Sequence, residues 1–149
     1  MIAIVQRVTE AAVTVEGETV GQIGRGLVAL VAVTKTDTTA EADWLAAKLV
    51  ALRVFRADGK HFEADVTQVG GSILLISNFT VSAKTKKGRR PSLDAAAEPA
   101  MAQALFDYLV GAVRKLNVSV ATGRFGADMR VSLTNEGPAT FILDSTAPE

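Results

Sequence analysis

The stretch that most constrains this chain is GGSILLISNFTV, in which Ile73, Leu74, Leu75 and Ile76 follow one another without a polar residue. Successive side chains of a strand point to opposite faces, so an unbroken aliphatic run means that both faces are covered. The run predicts a fully buried strand. IAIVQRV, AAVTVEG, ETVGQIG and GLVALVAV follow closely at the N-terminal end, punctuated by Gly17, Gly21, Gly24 and Gly26, which reads as an antiparallel meander. At Thr38 the period changes. TTAEADWLAAKLVAL opens with Thr38 and Glu41 at capping-box spacing and carries Leu45, Leu49 and Leu52 at helical intervals. A second helix is predicted to begin near Pro99, a proline suited to a first turn, with Met101, Leu105, Leu109, Ala112 and Leu116 on its apolar stripe. FRADGKHFEADV reads as a hairpin, and NVSVAT, DMRVSLTN and ATFILD read as three closing strands.

This order of elements predicts an α+β fold in which a mainly antiparallel sheet curls into a barrel-like core and two helices pack outside it. With 149 residues the chain fits one domain, 1–149, whose last residues, 145–149, are expected to fray. A hydrophobic share of 48% against 21% charged residues is globular rather than disordered. GLVALVAV is too short to cross a membrane, and MIAIVQRVTE lacks a signal-peptide core, so a soluble, cytoplasmic protein with no membrane partner is expected. The absence of cysteine excludes disulfides, thiolate metal sites and a cysteine nucleophile. His61 is the single histidine. The expectation is therefore no metal and no cofactor. Lys plus Arg and Asp plus Glu balance at 16 each, so attraction to a polyanion has to come from a local patch.

Three segments carry candidate chemistry. SNFT, Ser77 to Thr80, ends the buried strand with two hydroxyls and an amide, either as a reactive site or as ordinary strand-end hydrogen bonding. The only histidine that could serve as its base lies in DGKHFEAD, which reads as an exposed hairpin tip. KTKKGRR holds Lys84, Lys86, Lys87, Arg89 and Arg90, either a phosphate-binding loop or a solvated turn. TGRFGADM sets Gly123 and Gly126 around Phe125, as a bulge beside a pocket or as a plain loop into a strand. In SLTNEGPATFIL, Gly137 and Pro138 stand where a sheet ladder is most readily broken.

Taken in order, MIAIVQRV, VGGSILLISNFT, GRRPS, TGRFGADM and VSLTNEGPATF resemble the D-aminoacyl-tRNA deacylase family along nearly the whole chain. Two family signatures, SQFT and GPVT, appear here as SNFT and GPAT, with Asn78 for glutamine and Ala139 for valine. The resemblance implies hydrolysis of the ester of D-aminoacyl-tRNA, and of mischarged glycyl-tRNA, by a homodimer. Each site would join Ser77, Asn78, Phe79 and Thr80 of one chain to the partner's Gly137 and Pro138. That Gly-Pro bond is expected to be cis, with both carbonyls obstructing an L-aminoacyl side chain and Arg7 bracing the pair. The backbone amides of Phe79 and Thr80 would face the reacting carbonyl, and the substrate's own 2′-OH would take part. Phe125, Ala127, Met129 and Thr140 are implied as substrate-binding residues, and the five basic residues from Lys84 to Arg90 as contacts to the tRNA acceptor stem.

Overall fold

The computed structural model describes residues 1–148. The chain runs through β1 (Ile2–Val15), β2 (Glu18–Ile23), β3 (Gly26–Ala32), α1 (Thr39–Ala51), β4 (Phe55–Ala57), β5 (Lys60–Ala64) and β6 (Ser72–Ser77). It then forms a 3₁₀ turn (Phe79–Ser82), α2 (Pro99–Lys115), β7 (Ser119–Thr122) and β8 (Arg130–Asp144). The main sheet has the order β2-β1-β3-β6-β7, with β8 on the other edge of β1. Glycine at position 21 lets β2 approach β7, because a Cβ there would stand 2.1 Å from the Thr122 carbonyl oxygen. The sheet thereby nearly closes into a barrel.

Residues Ile73 to Ile76 are apolar throughout because they divide two cores. Ile73 and Leu75 pack with Leu27, Ala29 and Val31 of β3 against Leu45 and Leu49 of α1 and Phe106, Leu109 and Val113 of α2. Leu74 and Ile76 face the other way, onto Val8, Val13, Ile23 and Val28 inside the barrel. Truncating such a residue to alanine costs about 2–5 kcal/mol in cores of this kind. The expected barrel-like sheet with two outer helices is present, and antiparallel pairs join β1 to β2, β3 and β8. Its centre, however, is parallel: β3 pairs with β6, and β6 with β7.

Four details differ from the sequence reading. The N-terminal strands form no meander, since β3 returns to pair with β1 rather than β2. IAIVQRV and AAVTVEG are one long strand, β1, whose irregular register near Val8 moves its inward face from the helix-side core to the barrel interior. DMRVSLTN and ATFILD also form a single strand, β8. In α2 the buried face is Ala102, Phe106, Leu109, Val110 and Val113, so Met101, Leu105 and Ala112 lie at its margin and Leu116 is exposed. Packing against α1 sets that face. The Thr38–Glu41 capping box and the first-turn Pro99 are present as expected. In the tail, Ser145 N–H donates to the Met1 carbonyl at 3.0 Å and its hydroxyl accepts from the Met1 ammonium at 2.7 Å. Glu149 lies outside the described residues.

Candidate active site

The central strand β6 delivers Ser77 to the end of the sheet, opposite Val31 of β3. Asn78 makes the last sheet bond, its N–H donating to the Val31 carbonyl at 2.8 Å. The 3₁₀ turn follows. Val81 N–H donates back to the Asn78 carbonyl at 3.2 Å, and the Ser82 hydroxyl donates to the Phe79 carbonyl at 2.8 Å. The N–H groups of Phe79 and Thr80 have no backbone acceptor among the described residues, as expected where a helical turn starts and no preceding carbonyl is in place. They form a pair of free donors at the protein surface. The Thr80 hydroxyl donates to the Asn78 side-chain oxygen, which leaves the Thr80 oxygen with its lone pairs outward as an acceptor.

Two depressions flank this segment. One, a cavity of about 200 Å³, is lined by Val33, Ser77, Phe79, Phe125, Gly126 and the entry to α2 at Ala97, Pro99 and Ala102. The other, of about 220 Å³, is lined by Leu30, Ile76 to Phe79, Ala127, Met129 and Val131. Phe79 borders both, with 56% of its surface exposed. The loop from Phe125 to Met129 crosses from one to the other, so three of the substrate-binding residues expected from sequence lie beside SNFT. Thr140 does not: it pairs with Gln6 on β8, and its hydroxyl accepts from the Gln6 side chain at 3.1 Å. Sequence reading missed Ala97, Pro99 and Ala102 as pocket walls, because Pro99 carried only a helix-start signal.

The basic loop begins directly after the turn. Lys84 and Ser92 exchange backbone bonds of 2.9 and 2.8 Å, pinning its base. Lys84, Lys86, Lys87, Arg89 and Arg90 are all exposed and have no ion-pair partner among the described residues. His61 sits on β5 in the separate two-stranded sheet, exposed, and stands against Phe62. Among the described residues no group of three or more histidine, cysteine, aspartate or glutamate side chains gathers as a metal site.

Gly137 and Pro138 do not end the strand; they bulge out of it. Gln6 pairs with Thr140 and Val8 with Asn135, so Glu136, Gly137, Pro138 and Ala139 together stand opposite Arg7 alone. The Gly137–Pro138 bond is cis and both residues are exposed. Arg7 lies beneath, 1% exposed, its Nε donating to the Glu136 carbonyl at 2.9 Å and a terminal nitrogen to the Val54 carbonyl at 2.6 Å. Within one chain, neither depression beside Ser77 to Thr80 is lined by the bulge.

The family model described as D-Tyr-tRNA(Tyr) deacylase matches residues 4–144. A protein named D-aminoacyl-tRNA deacylase from Pelobacter propionicus is 51% identical over 144 residues, covering 97% of this chain and 99% of its own. One of the same name from Bacillus licheniformis is 51% identical over 147 residues, covering 99% and 100%. Among solved structures, the c-Myc DNA unwinding element binding protein superposes with a TM-score of 0.93 at 36% identity, over 99% of this chain and 100% of that one. The chain belongs to the D-Tyr-tRNA(Tyr) deacylase family.

Proposed function

We propose that this chain hydrolyses the ester bond of D-aminoacyl-tRNA, and of glycyl-tRNA, releasing free tRNA and the amino acid. The observation that carries the reading is the pair of free N–H donors on Phe79 and Thr80, in a turn whose first residue, Phe79, borders two depressions. Water attacks the ester carbonyl carbon, the carbonyl oxygen becomes an oxyanion, and the two donors stabilise it. The bond to the ribose oxygen then breaks, and that oxygen leaves as a hydroxyl with a proton from the attacking water. The ribose oxygen of an ester is a better leaving group than the nitrogen of an amide, so positioned donors suffice without a histidine base. The Thr80 oxygen, an acceptor by virtue of its bond to Asn78, orients the water or the neighbouring 2′-OH. No metal enters this scheme.

Selectivity comes from a second copy. β8 pairs with β1 along one edge only, and its outer residues include Val131 and Ile142, the latter 74% exposed. A two-fold pairing of two chains through this region is reciprocal, and in the proposed dimer each bulge meets the other chain's SNFT segment. There the carbonyls of Gly137 and Pro138 occupy the space an L side chain needs, while a D side chain or none is accommodated. Phe79 and Phe125 offer faces for the terminal adenosine, and the Lys84 to Arg90 loop meets acceptor-stem phosphates. The protein works where charged tRNA is found, in the cytoplasm. Incubating the purified protein with D-, L- and glycyl-tRNA tests the proposal. Rapid loss of the D and glycyl esters with the L ester intact supports it; binding of all three without ester loss refutes it.

A further inference from the structure

We infer that Asn135 is a positioning residue for stereoselectivity, its side-chain amide holding the Glu136 to Ala139 bulge in the shape that excludes L-aminoacyl groups. This rests on the role proposed above for Gly137 and Pro138. A bulge of four residues opposite one has little ladder of its own, since neither Gly137 nor Pro138 pairs with β1. Its shape has to be supplied by side chains. Both amide hydrogens of Asn135 are engaged in doing so, Nδ2 donating to the Arg7 carbonyl at 3.0 Å and to the Ala139 carbonyl at 3.1 Å. The first bond ties the start of the bulge to β1, and the second ties its start to its end. Arg7 completes the frame from the buried side by taking the Glu136 carbonyl. The carbonyls of Glu136 and Ala139 are thereby engaged, while those of Gly137 and Pro138 accept no hydrogen bond among the described residues.

The same side chain explains why residue 137 has none. A Cβ on Gly137 would lie 2.7 Å from the Asn135 Oδ1 and 3.7 Å from the Ala139 nitrogen, so the amide occupies the space under the glycine. A two-donor group is required. Aspartate has the same size and no hydrogens to give, and serine has one and a shorter reach.

The test compares Asn135→Asp, Asn135→Ser and the neighbouring Thr134→Ala with the parent, measuring kcat/KM for D- and L-aminoacyl-tRNA. A residue of merely structural importance lowers both rates together and leaves their ratio alone. Two lost neutral hydrogen bonds predict an L-to-D ratio raised about tenfold or more in Asn135→Asp, with D turnover nearly kept. Asn135→Ser is expected to fall between, and Thr134→Ala to match the parent. If Asn135→Asp does not fold, Asn135→Ser decides. An unchanged ratio in the folded variants overturns the inference. Deleting Gly137 and Pro138 separates the two levels: if the deletion raises the ratio and the Asn135 variants do not, Asn135 is wrongly assigned. If the deletion also leaves it unchanged, the role of the bulge falls with it.

Discussion

Replacing Phe79 by proline removes one proposed oxyanion donor and little else. Asn78, at φ −147° and ψ 89°, is already outside the α region that a following proline disfavours. Phe79 opens the turn, where its N–H serves no internal bond, and a first-turn proline is well tolerated. Its ring is mostly exposed, so the cores are not disturbed. Phe79→Ala is the matched control, since it also loses the ring and keeps the N–H. Loss of ring stacking on the terminal base, about 1–3 kcal/mol, is common to both variants and falls mainly on binding. Loss of one oxyanion donor is worth about 100- to 1,000-fold in the chemical step, or about 2.7–4 kcal/mol. Single-turnover hydrolysis of D-tyrosyl-tRNA with enzyme in excess isolates that step. Phe79→Pro is expected to be at least about 100-fold slower than Phe79→Ala. Two variants of equal rate would refute the assignment of the Phe79 amide.

Neutralising Lys86, Arg89 and Arg90 together should weaken tRNA binding and flatten its salt dependence, reducing the slope of log affinity against log salt by up to about 3; an unchanged slope makes the loop a solvated turn. Thr80→Ala should retain substantial turnover because both amides survive, and a trapped acyl group on Thr80 would show a nucleophilic mechanism instead. The Thr38 hydroxyl, and then its N–H, donate to Glu41 and hold that carboxyl below its ordinary value. A lowered folded-state pKa contributes stability above the unfolded value and loses it as pH falls through the folded one. The Tm difference between the parent and Thr38→Ala should therefore be steady near neutrality and narrow in acid. A residue of the difference persists, because the Thr38 oxygen also accepts from Ala40 N–H at 3.2 Å; a gap constant down to low pH contradicts the role of Glu41.

What could be read from sequence was whatever local pattern determines. The aliphatic run of β6 is dictated by its place between two cores, and the capping box and Pro99 act within a single turn. Pairing direction is not a local property, so nothing in GLVALVAV or SILLIS indicated that β3 and β6 run parallel. The continuity of β8 through Gly137 and Pro138 was hidden for the same reason. Residues that break an isolated ladder are held here by Arg7 and Asn135, which face each other across more than a hundred positions of chain. Asn135 stands two places before Gly137, and nothing in that spacing shows that its amide bonds to Arg7 and Ala139. SNFT was legible as a strand end, but its free donors depend on the turn that follows, and Val81 N–H returning to Asn78 is visible only in three dimensions.

The central claim is that one site needs the amides of one chain and the bulge of another, and a mixed dimer tests it directly. One chain carries Phe79→Pro with its bulge intact; the other keeps its amides and lacks Gly137 and Pro138. The first homodimer is expected to be at least about 100-fold slowed, and the second to hydrolyse D and L esters alike. In the mixed dimer, one site combines intact amides with the partner's intact bulge. A site shared in this way predicts that the mixed species hydrolyses D-aminoacyl-tRNA at about half the parent's rate per dimer and rejects the L ester. A mixed dimer that cleaves the L ester as the bulge-deleted homodimer does would contradict it.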